Sequence, residues 1–252
     1  MLDLSGLVPE ARPIVQQVAT VYLRYLSPWF VGLIAHGSAV KGGFIPGCSD
    51  VDLQLYLDDA ALTWHGELPL ALGLAIRRDL AGLDVRPFRY VQCATHGTHA
   101  PEGWVNPVPG SYHVVAGRLP VPEATAEDLR ASARRDLAAL VPPTFVMGEL
   151  LGPGSERLAR NLRLLCTKVW PVLYQVLTLQ QDNPVAVWGW PKTEAIARLP
   201  AGSALSETVQ RFHRAVRAYY PAEDSLEGAL ELIESGAAFL EAARAWWRET
   251  QA

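Results

Sequence analysis

Two aspartates separated by one residue, Asp50 and Asp52, are the side chains of this sequence best placed to do chemistry. They stand at the start of VDLQLYL, residues 51–57, where apolar and polar residues alternate as in a half-buried strand. Residues i and i+2 of a strand share a face, so both carboxylates are expected to point the same way. Two adjacent carboxylates repel each other unless a cation lies between them. Mg²⁺ is such a cation, since it binds carboxylates together with phosphate oxygens of a substrate.

A Gly-Ser pair, Gly37 and Ser38, lies upstream of the aspartates, and Ser49 directly precedes them. A Gly-Ser turn offers backbone N–H groups and a hydroxyl to phosphates, and glycine permits close approach. The parts together suit metal-assisted phosphoryl or nucleotidyl transfer, in which the metal neutralises charge and the protein positions the reactants. The plain alternative is that the aspartates are solvated surface residues at a strand edge, and a Gly-Ser pair alone is a weaker signal still.

The elements that must position these residues follow from the periodicity of the N-terminal half. Helices are predicted at residues 9–27 and 69–83, where apolar residues recur at helical spacing. The run WFVGLIA at 29–35 predicts a buried strand just before the Gly-Ser turn. Two further strands are predicted at FRYVQCA, residues 88–94, and at HVVAG, residues 113–117.

The sequence changes character near Pro120–Pro122, after which only helices are predicted. Thr125 and Asp128 resemble a capping box at the first of them, and Pro171 predicts a kink in the second. The predicted helices lie near residues 125–140, 155–179, 203–219 and 225–248. We therefore predict an α+β protein. An N-terminal α/β domain with a small mixed sheet, residues 1–122, is followed by an all-α helical bundle domain, residues 123–252.

Charge and cysteine content narrow the class of protein. The net charge of −4 argues against a nucleic-acid binder or a binder of anionic membranes, which would be basic. The cysteines, Cys48, Cys93 and Cys166, form no Cys-x-x-Cys pair, which predicts a reducing compartment and no zinc site. We see no signal peptide and no run of about 18 apolar residues, so a cytoplasmic protein is expected.

The segment HGSAVKGGFIPGCSDVDLQLYL, residues 36–57, resembles the signature of the nucleotidyltransferase (polymerase β-like) fold, in which Gly-Ser is followed by an Asp-x-Asp strand. The resemblance implies that Asp50 and Asp52 are catalytic and hold Mg²⁺. It also implies that Ser38 contacts nucleotide phosphates. Gly37 and Ser49 belong to the same motif and are further candidates for nucleotide binding.

The helical half resembles the adenylyltransferases that act on the aminoglycoside antibiotics streptomycin and spectinomycin. The similarity lies in RNLRLLCTKVW, residues 160–170, and in Pro191-Lys192 followed by Ala195. It implies that Lys192 reaches the nucleotide triphosphate. A lysine after a proline at a helix start also lies where anions bind well, because N–H groups and the helix dipole favour them. The plain alternative is a solvated surface lysine.

The sequence departs from the family that it resembles in lacking a third acidic residue at the expected place. In the family that this chain resembles, a glutamate on the strand after the first crossover helix helps hold metal or takes the proton from the acceptor hydroxyl. The corresponding segment FRYVQCA carries no acid. Asp84, a few residues upstream, is the nearest carboxylate and our candidate for the third catalytic acid. Glu149 and Glu156 of the helical half are alternatives.

The resemblance predicts an enzyme that transfers AMP, or another NMP, from Mg²⁺-NTP to a hydroxyl of a small molecule, with an aminoglycoside as one candidate acceptor. Three alternatives stay open: a nucleotide-binding or partner-binding member of the fold without turnover, a transferase acting on protein or tRNA, and a helical interaction protein. Mg²⁺-nucleotide binding, pyrophosphate release and labelling of protein by ATP distinguish these functions.

Overall fold

A computed structural model describes residues 1–99, 104–141, 155–220 and 225–251 of the chain. Contacts divide the chain into two compact units, Met1–Ala124 and Thr125–Ala252. The division falls just after the segment around Pro120–Pro122, where proline removes backbone N–H groups and discourages a continuing helix or strand.

The N-terminal unit is a four-stranded mixed sheet with helices. The strand order is β3-β2-β1-β4, in which β1 is antiparallel to β2 and β4, whereas β2 and β3 are parallel. The parallel pair is joined by a crossover that contains α3, as parallel neighbours require. The elements are α1 (Arg12–Leu26), β1 (Phe30–His36), α2 (Ser38–Lys41), β2 (Val51–Leu57), a 3₁₀ turn (Asp59–Ala61), α3 (Leu70–Leu80), β3 (Val91–His96) and β4 (Tyr112–Gly117).

Alternation along β2 places its side chains in turn on the two faces of the sheet. Val51, Leu53, Leu55 and Leu57 are all buried in one cluster with residues of α1 and β1. The residues between them include Asp52, and their side chains point to the other face because successive strand residues alternate. The apolar residues of β2 thus hold the strand against the core, and Asp52 lies on the opposite face of the sheet.

The C-terminal unit is helical. Thr125 closes a capping box with Asp128 at the start of α4, and the Ser203 side chain accepts a hydrogen bond from the Ser206 backbone N–H at the start of α8. The longest helices, α5 and α9, pack on each other, and α9 also packs on α8. The helices are α4 (Ala126–Ala138), α5 (Ser155–Gln180), α6 (Pro184–Gly189), α7 (Lys192–Ala197), α8 (Ala204–Tyr219) and α9 (Leu226–Gln251).

The predicted α+β class, a small mixed sheet followed by helices, is confirmed. Two details differ. Strand β3 begins at Val91 rather than at residue 88, because residues 85–88 form a turn in which the Phe88 N–H donates to the Val85 carbonyl at 2.9 Å. Helix α6 was not predicted, since six residues are too few to show a helical period. The start of α7 at Lys192 agrees with the helix start that Pro191-Lys192 indicated. None of the helices in the described part of the chain combines the length and apolarity of a membrane span.

Candidate functional site

The two aspartates lie at the start of β2, beside the last residue of β1. Asp52 is the second residue of β2 and pairs with His36 in antiparallel register. Asp50 immediately precedes the strand, and its negative charge acts on the imidazole of His36. Both carboxylates therefore lie near one imidazole, and both aspartates are half-buried.

The Gly-Ser pair forms the turn that leads from β1 into α2. Gly37 has φ 68° and ψ −145°, a conformation that residues with a side chain rarely adopt. A Cβ at this position would lie only 2.9 Å from Oδ2 of Asp52. Ser38 follows as the first residue of α2 and is buried. The turn and the second aspartate are thus in direct contact although they are distant in the sequence.

Ser49 closes the turn that precedes Asp50. Its hydroxyl accepts a hydrogen bond from the Ile45 N–H at 2.9 Å, and its own N–H donates to the Ile45 carbonyl at 2.9 Å. Its carbonyl accepts from the Arg89 N–H at 2.8 Å. Ser49 is buried, and all three of these bonds lie within the protein. These bonds hold Ser49 in the turn directly before Asp50, and its assignment to nucleotide binding stays a prediction.

Gln92 is the residue of β3 that stands beside Asp52. The parallel register pairs Asp52 with Gln92, so their side chains share one face of the sheet. A third carboxylate level with Asp52 on this strand would occupy this position, and an amide occupies it instead. An amide can donate and accept hydrogen bonds but cannot take up a proton at neutral pH.

Asp84 lies in the segment before β3 and outside the sheet. Its carboxylate is exposed and pairs with Arg86, with Nη2 and Oδ2 at 2.6 Å. Hydrogen bonds from Arg86 hold the pKa of Asp84 at about 2. A carboxylate with so low a pKa, already paired, is poorly suited to accept a proton. The geometry therefore argues against the expectation that Asp84 reaches the strand as a third catalytic acid. Glu149 lies outside the described residues, and Glu156 is exposed in the first turn of α5.

His36 was not singled out from the sequence, although it directly precedes the Gly-Ser pair. Burial lowers its pKa to about 4, against the opposing effect of Asp50, and the charges of Lys41 and His96 lower it further. The imidazole is therefore neutral at neutral pH. A neutral imidazole beside two carboxylates can donate one hydrogen bond and accept another.

Lys192 is the first residue of α7 in the helical unit. Its Nζ atom lies over the ring of Trp170, 5.7 Å from the ring centroid. Burial lowers the pKa of His213 of α8, and the positive charges of Arg217 and Lys192 lower it further. Lys192 thus faces side chains of α5 and α8 within its own unit.

The oxygen donors of Asp50 and Asp52 are those that Mg²⁺ prefers. Within residues 1–99, 104–141, 155–220 and 225–251, no three His, Cys, Asp or Glu side chains are grouped so that they could hold a metal ion. Mg²⁺ commonly binds one or two carboxylates and completes its shell with phosphate oxygens and water.

The mixed sheet, the Gly-Ser turn and the Asp-x-Asp strand define a protein of the nucleotidyltransferase fold. In agreement with this, the chain is similar to the solved structure of spectinomycin adenyltransferase AAD(9) from Enterococcus faecialis with ATP and spectinomycin. The two share 13% identity with a TM-score of 0.54, over 92% of this chain and 98% of that chain. At this identity the similarity shows the fold, which the sequence had predicted. No protein-family model and no curated protein matches the sequence.

Proposed function

We propose that this protein is a nucleotidyltransferase that transfers AMP, or another NMP, from Mg²⁺-NTP to a hydroxyl of a small molecule. The observation that carries the proposal is the contact between Asp52 and Gly37, which joins the Asp-x-Asp strand to the Gly-Ser turn. Donors for a metal and donors for phosphates lie side by side as a result. Transfer of a phosphorus-centred group requires this combination.

Each residue of the site has a distinct task in this proposal. Mg²⁺, when bound, supplies charge neutralisation on the triphosphate. Asp50 and Asp52 hold the ion from one end of β2. Gly37 and Ser38 offer backbone N–H groups and a hydroxyl to phosphate oxygens. Lys192 is proposed to contribute a positive charge to nucleotide phosphates.

The acceptor that we propose is a small molecule rich in hydroxyls, of the aminoglycoside kind. The support is the solved adenyltransferase of the same fold, whose structure contains ATP and spectinomycin. Modification of such an antibiotic would confer resistance to it. Because the reaction consumes NTP, we place it in the cytoplasm.

One observation favours a second candidate function, nucleotide binding without turnover. Gln92, rather than an acid, stands beside Asp52 in the sheet. A hydroxyl acceptor must lose a proton during transfer, and an amide cannot take it. A protein of this kind would bind Mg²⁺-NTP and release no pyrophosphate.

Thermal unfolding of the full chain with ATP, GTP, CTP and UTP, each with and without Mg²⁺, tests the nucleotide site. A ligand at 100 times its dissociation constant stabilises the folded state by about 2.7 kcal/mol. We expect a Mg²⁺-dependent rise of the unfolding midpoint that Asp52→Asn abolishes. Asp58→Asn is the matched control, because Asp58 caps the 3₁₀ turn after β2 and asparagine keeps the capping oxygen.

Pyrophosphate release then separates the two candidate functions. With spectinomycin, streptomycin and other hydroxyl acceptors, release that depends on both NTP and acceptor supports the transferase. Binding of Mg²⁺-NTP without release of pyrophosphate, whichever acceptor is added, supports nucleotide binding without turnover. Stabilisation that is equal in wild type and Asp52→Asn would overturn the assignment of Asp52 to the metal.

A further inference from the structure

The outer face of α3 carries an exposed apolar stripe. Leu70 and Leu74 are 77% and 45% exposed, although leucine is among the residues most often buried in proteins. Arg77 and Ala81 continue the same line at the C-terminal end of the helix, and both are exposed. Successive spacings of four, three and four residues keep these four side chains on one side of a helix.

The opposite side of α3 packs against the core of the N-terminal unit. Ile76 is buried in this core, and Leu72 and Leu80 pack against the same cluster. The exposed leucines are therefore not the ones that hold α3 in its own unit. At Gly73, which flanks the stripe, an added Cβ would meet no other atom within 4 Å. A second helix can consequently approach the backbone of α3 closely on this side.

Charge is distributed unequally along α3. Glu67 lies in the turn that precedes the helix, whereas Arg77 and Arg78 lie in the last helical turn, and all three are exposed. Glu67 and Arg77 lie five residues on either side of position 72, and Leu70 and Leu74 lie two residues on either side of it. A second α3 that runs antiparallel and is centred on this position therefore brings Leu70 to Leu74 and Glu67 to Arg77, each of them twice.

The turn before α3 adds an aromatic side chain at the same end as Glu67. Trp64 is 89% exposed and lies in a turn that is closed by a hydrogen bond from the Gly66 N–H to the Thr63 carbonyl at 2.8 Å. The Thr63 N–H donates to the Glu67 carbonyl at 2.8 Å, which joins this turn to the start of the stripe. Tryptophan and arginine are enriched at protein interfaces, so this composition is typical of a contact surface.

We propose that the outer face of α3, together with the turn that precedes it, is the interface of a two-fold symmetric dimer of this chain. In such a dimer the same patch of both copies meets, so each contact occurs twice. The apolar stripe supplies the affinity, and the pairs of Glu67 with Arg77 set the antiparallel direction, because exposed ion pairs contribute little affinity. One helix and one turn from each copy make a small interface, of the class below about 1,200 Å² whose complexes are weak and reversible.

Sedimentation equilibrium of the full chain tests the dimer, over protein concentrations from about 1 μM to about 1 mM, where weak complexes dissociate. We expect a monomer–dimer equilibrium whose dissociation constant rises about tenfold in Leu74→Glu, because a carboxylate would lose its hydration within the apolar stripe. Leu230→Glu is the matched control and should leave the dissociation constant unchanged, since Leu230 is 38% exposed but lies on α9. Unfolding midpoints show that each variant is folded.

Charge reversal tests whether the partner is a second, antiparallel copy. Glu67→Arg and Arg77→Glu each place like charges opposite one another at two contacts, so each variant alone should dimerise about tenfold more weakly than wild type. An equimolar mixture of the two variants has opposite charges at both contacts and should form a mixed dimer with nearly the affinity of wild type. The double variant that carries both changes should recover the affinity of wild type for the same reason.

Two results would overturn the proposed dimer. The first is a chain that stays monomeric over the whole concentration range, in which case the stripe is not an interface between copies. The second is a dimer whose dissociation constant is the same in wild type, Leu74→Glu and both charge variants, since its interface would then lie elsewhere. A mixture that pairs no more tightly than its two components would overturn the antiparallel arrangement.

Discussion

The carboxylate of Asp52 occupies the space that a side chain on Gly37 would need. Oδ2 of Asp52 lies 2.9 Å from the position of a Cβ on Gly37, closer than Cβ atoms ordinarily approach another atom. The glycine therefore serves two purposes at once. It takes a backbone conformation at φ 68° that other residues rarely adopt, and it leaves room for the carboxylate against the turn.

Gly37→Ala should consequently lower both stability and Mg²⁺-nucleotide binding. The backbone conformation costs a residue with a side chain about 1–3 kcal/mol, and the new methyl group displaces Asp52. Gly42→Ala is a matched control, because Gly42 at the other end of α2 has φ 77° and would place its Cβ 4.0 Å from Val8. Denaturant unfolding should show a similar loss of stability in both variants.

Nucleotide titrations of the two glycine variants then separate the effect of backbone strain on binding from the effect of displacing Asp52. Only Gly37→Ala should lose Mg²⁺-dependent binding, by at least tenfold. Equal nucleotide affinity in the two variants would show that the position of the Asp52 carboxylate does not matter for binding.

Asp84→Asn should leave Mg²⁺-nucleotide binding and any pyrophosphate release within about twofold of wild type. Asp84 is fully exposed, lies outside the sheet, and is held by Arg86 at a pKa of about 2. A surface pair of this kind contributes little to stability, so the unfolding midpoint should also stay nearly constant. A loss of release comparable to that of Asp52→Asn would restore Asp84 as the third catalytic acid.

Gln92→Glu should raise the affinity of the site for Mg²⁺ about tenfold, since ligand charge count tunes the affinity for hard cations. Neighbouring strands are about 4.8 Å apart, so a carboxylate at position 92 would stand beside that of Asp52. Mg²⁺ titration followed by the unfolding midpoint measures the change. Gln16→Glu on the exposed face of α1 is the matched control and should have no effect. Unchanged affinity in Gln92→Glu would place residue 92 outside the metal site.

The free energy of unfolding of the metal-free protein should fall as the pH drops from about 6.5 to about 4. His36 has a folded-state pKa of about 4 against an ordinary value of 6.5. In this window the unfolded chain takes up a proton at residue 36 and the folded chain does not, so acid favours unfolding. The full effect of this shift amounts to about 3 kcal/mol below both pKa values.

His36→Gln should remove that part of the pH dependence, measured by urea unfolding at a series of pH values. His65→Gln, at an exposed histidine in the loop before α3, should keep it. If the free energy of unfolding depended on pH equally in His36→Gln and wild type, the imidazole of His36 would not be desolvated in the folded protein.

Much of the local structure could be predicted from the sequence because it depends on neighbours along the chain. The bounds of β2 agree with the prediction, since the alternation of Val51, Leu53, Leu55 and Leu57 defines both its length and its buried face. The start of α4 was predicted from Thr125 and Asp128, whose reciprocal hydrogen bonds are local. Strand β3 was placed too early, because its segment has no comparable alternation and a turn shortens it.

The expectation that Asp50 and Asp52 share a face came from the sequence alone, and with it the expectation of a metal and phosphate site, because the two-residue period of a strand predicts both. Only the tertiary structure decided that Gln92 stands beside Asp52, that Gly37 makes room for its carboxylate, and that Asp84 lies outside the sheet. The positions of Lys192 and His213 against the ring of Trp170 were decided at the same level. These relationships depend on strand register and helix packing. Both follow from the burial of whole faces of strands and helices, so no local pattern in the sequence predicts them.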